Sequence, residues 1–303
     1  MYIESMMKKA LNSNWTRDLL MNIARQGPIP QHIAFIMDGN RRFARAHGMP
    51  IEQGHELGTA AMEKVLEISY NAGIKAITLY AFSIENLKRP KDQVETILAL
   101  LREQMVMHSA PGGLAEQFDF SIRVLGCLEM LDEQTRDTIE KAVEATRKGK
   151  LILNLCMVYT SRDEMTRAMR RCVEEYPHTA VTAQSLSDKM DTADNPPVDL
   201  VVRSSGVYRL SDFLLWQCHE DTQIQIVDAT WPEFGAWEQF MVLLRWQRMK
   251  RMKMTTRRSS DLATAGSQVM ASSSVSFSPV VCALPLLFSF LSALSCYYFL
   301  LTV

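Results

Sequence analysis

The chain has 303 residues, 47% of them hydrophobic, and its 33 basic and 34 acidic residues leave a formal net charge of −1. That is chain enough for one large core, and near-neutral charge with no basic stripe interleaved with aromatics excludes a general nucleic-acid binder. The six cysteines, at 127, 156, 172, 218, 282 and 296, are scattered with no Cys-x-x-Cys pair, which argues against disulfide staples and zinc ligation and reads as reduced core thiols of a cytosolic compartment.

The N-terminal residues lack a continuous apolar run with a cleavage site, so no secretory signal is expected and the sequon at Asn14, Trp15 and Thr16 is a chance match. Trp15, Leu19, Leu20 and Ile23 recur at helical spacing before Gly27 and Pro28, so residues 1–27 read as an amphipathic helix used mainly for packing. Residues 33–37 form an apolar strand. Leu57, Ala61, Val65 and Ile68 then mark one face of a helix closed near Gly73. The alternation continues with strands near 76–82, 120–125, 151–157, 198–203 and 223–227. Helices are expected near 92–107, 132–148, 162–175, 182–190 and up to Arg248. Six strands separated by helices predict an α/β fold: a single domain over residues 28–250 with a largely parallel six-stranded sheet flanked by helices.

Composition changes past residue 250. Arg248, Lys250, Arg251, Lys253, Arg257 and Arg258 lead into a serine-rich stretch, so residues 251–279 read as a linker. Residues 280–303 form an apolar tail; as a helix they would span about 36 Å, against about 30 Å of hydrocarbon core. With the basic cluster before it, the tail reads as a C-terminal transmembrane anchor that keeps the body cytosolic. A mis-spliced gene end would give the same composition.

Three strands run straight into charge. The first leads into Asp38, Gly39, Asn40, Arg41 and Arg42, the second into Ser83, Asn86 and Arg89, and the fifth into Arg203, Arg209 and Ser211. Parallel strands bring their carboxyl ends to one edge, so the clusters should converge. An acid there can hold a divalent metal, a glycine admits an anion to the backbone, and five arginines suffice for two diphosphates at about 1.5–3 kcal/mol per charge-assisted hydrogen bond. The first cluster taken alone suits a strand-to-helix turn capped by Asp38 equally well. His32 fits a core role as readily as a ligand role, whereas His55, beside Gly54 at a helix start, reads as a ligand. Trp216 and Trp231 read as core. Dinucleotide, Walker, nucleophile-elbow, zincin and Asp-Asp-x-x-Asp motifs are all missing.

In order along the chain, His32 with Met37 to Ala44, Gly54-His55, Tyr80 to Asn86 with Arg89-Pro90, Asp199 to Gly206, Arg209 to Gln217 and Trp231-Pro232 resemble the cis-prenyltransferases over about residues 28–248. The resemblance is strongest to the eukaryotic enzymes of dehydrodolichyl diphosphate synthesis. It implies addition of isopentenyl diphosphate units in cis to an allylic starter such as farnesyl diphosphate, with Mg2+, for dolichol synthesis and protein glycosylation at the endoplasmic reticulum membrane, the catalytic domain facing the cytosol. It assigns Asp38 to the metal. Gly39, Asn40, Arg41, Arg42 and His55 go to the cradle of the allylic diphosphate, with the aromatic Phe43 beside it. Ser83 and Asn86 go to positioning or relaying the proton lost from isopentenyl diphosphate, with Arg89 as the nearby basic group, and Arg203, Arg209 and Ser211 to the isopentenyl diphosphate site.

The chain departs from that pattern in four places. Ile51 stands where the family has a further phosphate-binding arginine, Val207 where it has a glutamate, and Thr222, beside Glu220 and Asp221, where bacterial members have a second metal ligand. No Arg-x-Gly follows residue 248. Heteromeric members take that motif from a Nogo-B-receptor-like subunit, so the resemblance implies such a partner. The segment 93–126 is longer than in medium-chain bacterial members, as in long-chain ones. The rival reading is a non-catalytic membrane-tethered scaffold or polyprenyl-phosphate-binding subunit of the same fold. A scaffold would be expected to lose Asp38 and the cradle arginines and to keep Arg-x-Gly, the reverse of what this chain shows.

Overall fold

The computed structural model of the chain describes residues 14–175 and 180–272. It falls into two units, 1–251 and 252–303. The first holds a six-stranded sheet: β1 (His32–Ile36), β2 (Ala76–Ser83), β3 (Phe120–Leu125), β4 (Leu151–Tyr159), β5 (Leu200–Arg203) and β6 (Gln223–Ile226). The order is β3-β4-β2-β1-β5-β6 and every pairing is parallel. Helices connect and cover the strands: α1 (Asn14–Ala24), α2 (Asn40–Ala46), α3 (Ile51–Ala72), α4 (Lys91–Ser109), α5 (Leu114–Phe118), α6 (Glu133–Thr146), α7 (Ser161–Glu175), α8 (Ala183–Ser187) and α9 (Ala236–Ser272).

A parallel sheet needs both faces covered, and β1 is buried at every residue. Ile33 and Phe35 join one apolar cluster with Val65, Leu66 and Trp231, while Ala34 and Ile36 join another with Tyr159, Val201 and Phe213. The alternation of side chains along a strand thus feeds two cores from five residues. Phe35, Trp231 and Phe234 pack with ring centroids 5.5–6.0 Å apart.

From β1 the chain moves to β2 on one side and later lays β5 and β6 on the other. The carboxyl ends of β1 and β5 therefore flank the point where strand order reverses, the place where open α/β sheets leave a crevice. Their register, Ile36 opposite Arg203, brings the charged sequences after both strands together.

Two expectations change. On α1, helical spacing marked an apolar stripe without saying which way it faces. The buried residues are Leu20, Met21 and Ala24, and Trp15, Leu19 and Ile23 of that stripe are exposed. The last helix, expected to stop near Arg248, continues to Ser272 through the residues read as a linker. Charge and serine suggested a break there, yet residues 249–272 contain no proline, and arginine, lysine, methionine and alanine are good helix formers. Among the described residues no helix is long and apolar enough to cross a membrane; the apolar run 280–303 lies outside them.

Candidate active site

Backbone geometry at the end of β1 makes the crevice. Asp38 is locked in place: its N–H donates to Ser204 Oγ (2.9 Å), and its carbonyl accepts from Ser204 Oγ (2.6 Å) and from Trp231 N–H (3.0 Å). Gly39 follows at φ 110°, in the left-handed region. A Cβ there would also lie 2.9 Å from both Ser205 Oγ and Thr230 Cβ, so only glycine fits. The turn starts α2, and α2 presses on α3 through two further glycines. A Cβ at Gly54 would come within 2.6 Å of Asn40 O, and one at Gly58 within 2.5 Å of Asn40 Oδ1.

The Asp38 carboxylate sits between two guanidinium groups. Oδ2 accepts from Arg203 Nη2 at 2.7 Å and Oδ1 pairs with Arg42 Nη2 at 3.1 Å. Burial pushes this carboxyl up, but the hydrogen bonds and charges of Arg203 and Arg42 outweigh it and hold the group below the usual carboxylate range. Arg203 is itself buried, with 4% of its side chain exposed, and its Nη1 donates to Arg209 O (2.6 Å) and Ser211 Oγ (2.7 Å). It ties β1 to the turn after β5. In that turn Ser211, Asp212 and Leu214 all adopt positive φ without being glycine. Tyr80 Oη donates to Ser211 O (3.1 Å) and its ring stacks on Phe213 at 4.5 Å.

A cavity of about 700 Å³ opens at this edge. Asp38, Asn40, Arg41, His55, Ser83, Asn86, Arg89, Arg203, Arg209 and Ser211 all line it, so the three charged strand ends do converge. Gly39, Arg42 and Phe43 are not in its wall. Gly39 shapes the turn, Arg42 backs Asp38 and donates to Ser205 O (3.1 Å), and Phe43 packs on His47 with ring centroids 4.1 Å apart. Asn86 Oδ1 accepts the Ser83 N–H at 3.1 Å, which orients the amide at the start of the helical turn Ile84–Lys88. Asn40 Oδ1 is buried without a hydrogen-bond partner among the described residues. Burial, and then the charges of Arg89 and Arg41, lower the pKa of His55, so the imidazole is neutral at pH 7.

Inward from this mouth the wall turns apolar, with Met62 of α3, Ile97 and Leu101 of α4, Leu79 of β2 and Leu153 and Leu155 of β4. The chemistry offered is that of an amphiphile: polyanion at the mouth, hydrocarbon inside. His32 is elsewhere. It opens β1 at the opposite edge, fully buried, with Nδ1 2.8 Å from Pro196 O and Nε2 2.7 Å from Thr78 Oγ1, and burial lowers its pKa to about 4. Of its two readings the core one holds. Trp231 is 2% exposed and donates from Nε1 to Gly58 O (2.8 Å), a core residue that also reaches the cavity wall. Arg162 and Asp212, paired at 2.7 Å, line the mouth as well and were missed. Their signal was a fourth strand end: β4 runs to Tyr159, two residues past its expected limit, and delivers Arg162 to the same edge. Of the departures, Ile51 opens α3 outside the cavity wall, and Thr222 precedes β6 at the amino edge, donating to Val198 O (2.6 Å).

Fold and site together give an α/β protein with a cavity at its strand-order reversal that is cationic at the mouth and apolar inside. The sequence profile described as "Putative undecaprenyl diphosphate synthase" matches residues 36–253. The chain is 37% identical over 243 residues to a dehydrodolichyl diphosphate synthase complex subunit of Schizosaccharomyces pombe, covering 77% of this chain and 92% of that protein. It is 38% identical over 249 residues to a human dehydrodolichyl diphosphate synthase complex subunit, covering 80% and 74%. Among solved structures, a probable undecaprenyl diphosphate synthase from Campylobacter jejuni aligns with a TM-score of 0.61 and 29% identity, over 72% of this chain and 95% of that one. Lavandulyl diphosphate synthase from Lavandula x intermedia, with dimethylallyl diphosphate bound, shares the fold at a TM-score of 0.66 and 23% identity, with the same coverage. The chain belongs to the undecaprenyl diphosphate synthase family, the cis-prenyltransferases, which make polyprenyl diphosphates.

Proposed function

We propose that the chain is the catalytic subunit of a heteromeric dehydrodolichyl diphosphate synthase, which adds isopentenyl diphosphate in cis to farnesyl diphosphate to make the precursor of dolichol. The observation that carries this reading is the cavity wall that passes from Asp38 and six arginine or histidine groups at its mouth to aliphatic side chains inside. The names of the yeast and human relatives, both complex subunits, support the dolichol product and the partner.

In this reading Asn40, Arg41 and His55, which line the cavity, cradle the allylic diphosphate, while Gly39 shapes the turn beside it and Arg42 holds Asp38 from behind. Arg203, Arg209 and Ser211, joined by hydrogen bonds across the turn, hold the isopentenyl diphosphate. Arg89 adds positive charge near both. As the allylic carbon–oxygen bond breaks, positive charge grows on carbon and negative charge on the departing diphosphate. The arginines are already aimed where that negative charge develops. The homoallylic double bond attacks the allylic carbon, and the proton then lost is relayed past Ser83 and Asn86 to the released diphosphate, with the Asn86 amide set by the Ser83 N–H.

Asp38 suits magnesium. Mg2+ keeps most of its waters and binds through one or two carboxylates plus substrate phosphate oxygens, and Asp38 is one such carboxylate, ionised by its arginine neighbours. No cluster of three or more potential ligand side chains occurs among the described residues, and Asp38 is the carboxylate this reading assigns to the ion. When bound, the ion neutralises leaving-group charge. The partner, a Nogo-B-receptor-like subunit, supplies the C-terminal Arg-x-Gly of which no copy follows residue 248 here. The assembly works on the cytosolic face of the endoplasmic reticulum membrane, anchored through residues 280–303.

The test is incorporation of labelled isopentenyl diphosphate onto farnesyl diphosphate with magnesium, by the full chain alone and with such a subunit. Long cis-polyprenyl products that require the subunit are expected. Equal activity alone contradicts the heteromer.

A further inference from the structure

Two of the strands that end at the site change face just before they reach it. In β2 the side chains of Ile77 and Leu79 join one apolar cluster and Tyr80 the other, as alternation requires, but Ala81 and Phe82 then both pack on the first. In β4 the same happens at Met157 and Val158, after which Tyr159 turns to the second cluster. The register between β2 and β4 shifts twice between Tyr80 and Ser83, so the two bulges lie opposite each other. Val158 is fully buried and holds φ 48°, a left-handed conformation that a β-branched residue keeps only under constraint.

The bulges build a three-ring cluster beneath the turn that follows β5. Once turned over, Tyr159 stands edge-on to both Tyr80 and Phe213 with ring centroids 6.1 Å away, while Tyr80 stacks on Phe213 at 4.5 Å. Tyr80 Oη lies 3.1 Å from Ser211 O and 3.2 Å from Tyr159 O, so its proton is shared between the turn and the bulged strand. Burial pushes the pKa of this phenol up, which keeps the proton in place at neutral pH. Just past Tyr159, Ser161 N–H donates to Asp212 O (2.8 Å) and Ser161 Oγ accepts the Leu215 N–H (2.7 Å). These contacts grip a turn in which Ser211, Asp212 and Leu214 hold positive φ and from which Arg209 and Ser211 reach the cavity wall.

We propose that Tyr80, set by the paired bulges, is a positioning residue that clamps this turn in the shape isopentenyl diphosphate requires, and that it serves that substrate and not the allylic one. The clamp joins β2 and β4 to the turn after β5, whereas the allylic cradle is carried by α2 and α3. Without the hydroxyl, Ser211 O loses this donor and the strained residues relax toward ordinary φ, carrying Arg209 and Ser211 Oγ off their aim. The inference rests on the assignment of Arg209 and Ser211 to isopentenyl diphosphate.

The test compares wild type with Tyr80→Phe, which keeps the ring and removes the hydroxyl, and with Ile139→Val, a core substitution on α6 outside the cavity wall. Amide hydrogen exchange of the full chain without substrate reads the clamp. Exchange over residues 209–218 should quicken about threefold or more in Tyr80→Phe and keep the wild-type rate in Ile139→Val. Steady-state kinetics of the full chain with its subunit read the substrate. In Tyr80→Phe, KM for isopentenyl diphosphate should rise about two- to tenfold while KM for farnesyl diphosphate stays within about twofold of wild type. Unchanged exchange in Tyr80→Phe overturns the clamp, and equal rises in both KM values overturn its selectivity. Should the wild type condense nothing, binding of inorganic pyrophosphate replaces the kinetics. Weaker binding by Tyr80→Phe then supports the clamp while contradicting the enzyme reading, and equal binding overturns the clamp's part in holding the anion.

Discussion

Asp38 shows how one residue serves both the fold and the proposed chemistry. Its backbone is held by Ser204 and Trp231, its carboxylate by Arg203 and Arg42. The glycine beside it is the most constrained position of the mouth. Gly39→Ala should cost about 1–3 kcal/mol of stability, because alanine would have to hold φ near 110° against Ser205 and Thr230, and should raise KM for the allylic substrate. Urea denaturation and initial-rate kinetics check both effects. His32 gives a pH prediction with a definite sign. Its pKa is about 4 when folded and 6.5 when free, so below pH 6.5 the unfolded chain takes up the proton first. Stability should therefore fall as pH drops from about 6.5 to about 4, by about 3 kcal/mol in total from this residue. In His32→Gln that part of the pH dependence should vanish; a loss of stability over the same window equal to that of wild type would contradict it. The motif alone could not separate His32 from the cavity residues, because a buried hydrogen-bonded histidine and a ligand histidine look alike in sequence.

At the scale of elements, strand ends were the legible signal. Alternation of short strand-like runs with helical stretches located all six strands, three of those runs stopped at charge, and parallel order then required those three ends to meet. What stayed hidden depended on length and facing. Reading β4 two residues short concealed Arg162. Helical periodicity found the apolar positions of α1 but left unsaid which side α3 and α9 would cover, a matter settled by contacts such as Arg17 to Glu67 (2.9 Å) and Gln247 to Ala24 O (2.7 Å). The cavity itself had no sequence signature, since tunnel and core are lined by the same aliphatic residues. Because Arg162 pairs with Asp212 in the strained turn that also carries Ser211, Arg162→Ala should raise KM for isopentenyl diphosphate severalfold while changing KM for farnesyl diphosphate little. Equal effects on both substrates would mean that the pair does not order that turn.

For the whole molecule, the resemblance legible in the motifs agrees with the family match over residues 36–253, and the all-parallel sheet agrees with the solved relatives. The finer claims concern what surrounds this body. If residues 280–303 are the anchor, a chain ending at residue 258 should keep the melting temperature of the full chain and lose co-sedimentation with membranes. Undiminished sedimentation would move the attachment to another surface, of which the exposed Trp15, Leu19 and Ile23 of α1 are the apolar candidate. The central claim is that isoprenoid condensation takes place where β1 and β5 deliver Asp38 and Arg203. The most direct test is turnover of labelled isopentenyl diphosphate by Asp38→Ala beside wild type, with folding verified by circular dichroism. A folded variant whose kcat falls by about 10²–10³-fold or more is the predicted result. Wild-type turnover in that variant would contradict the account.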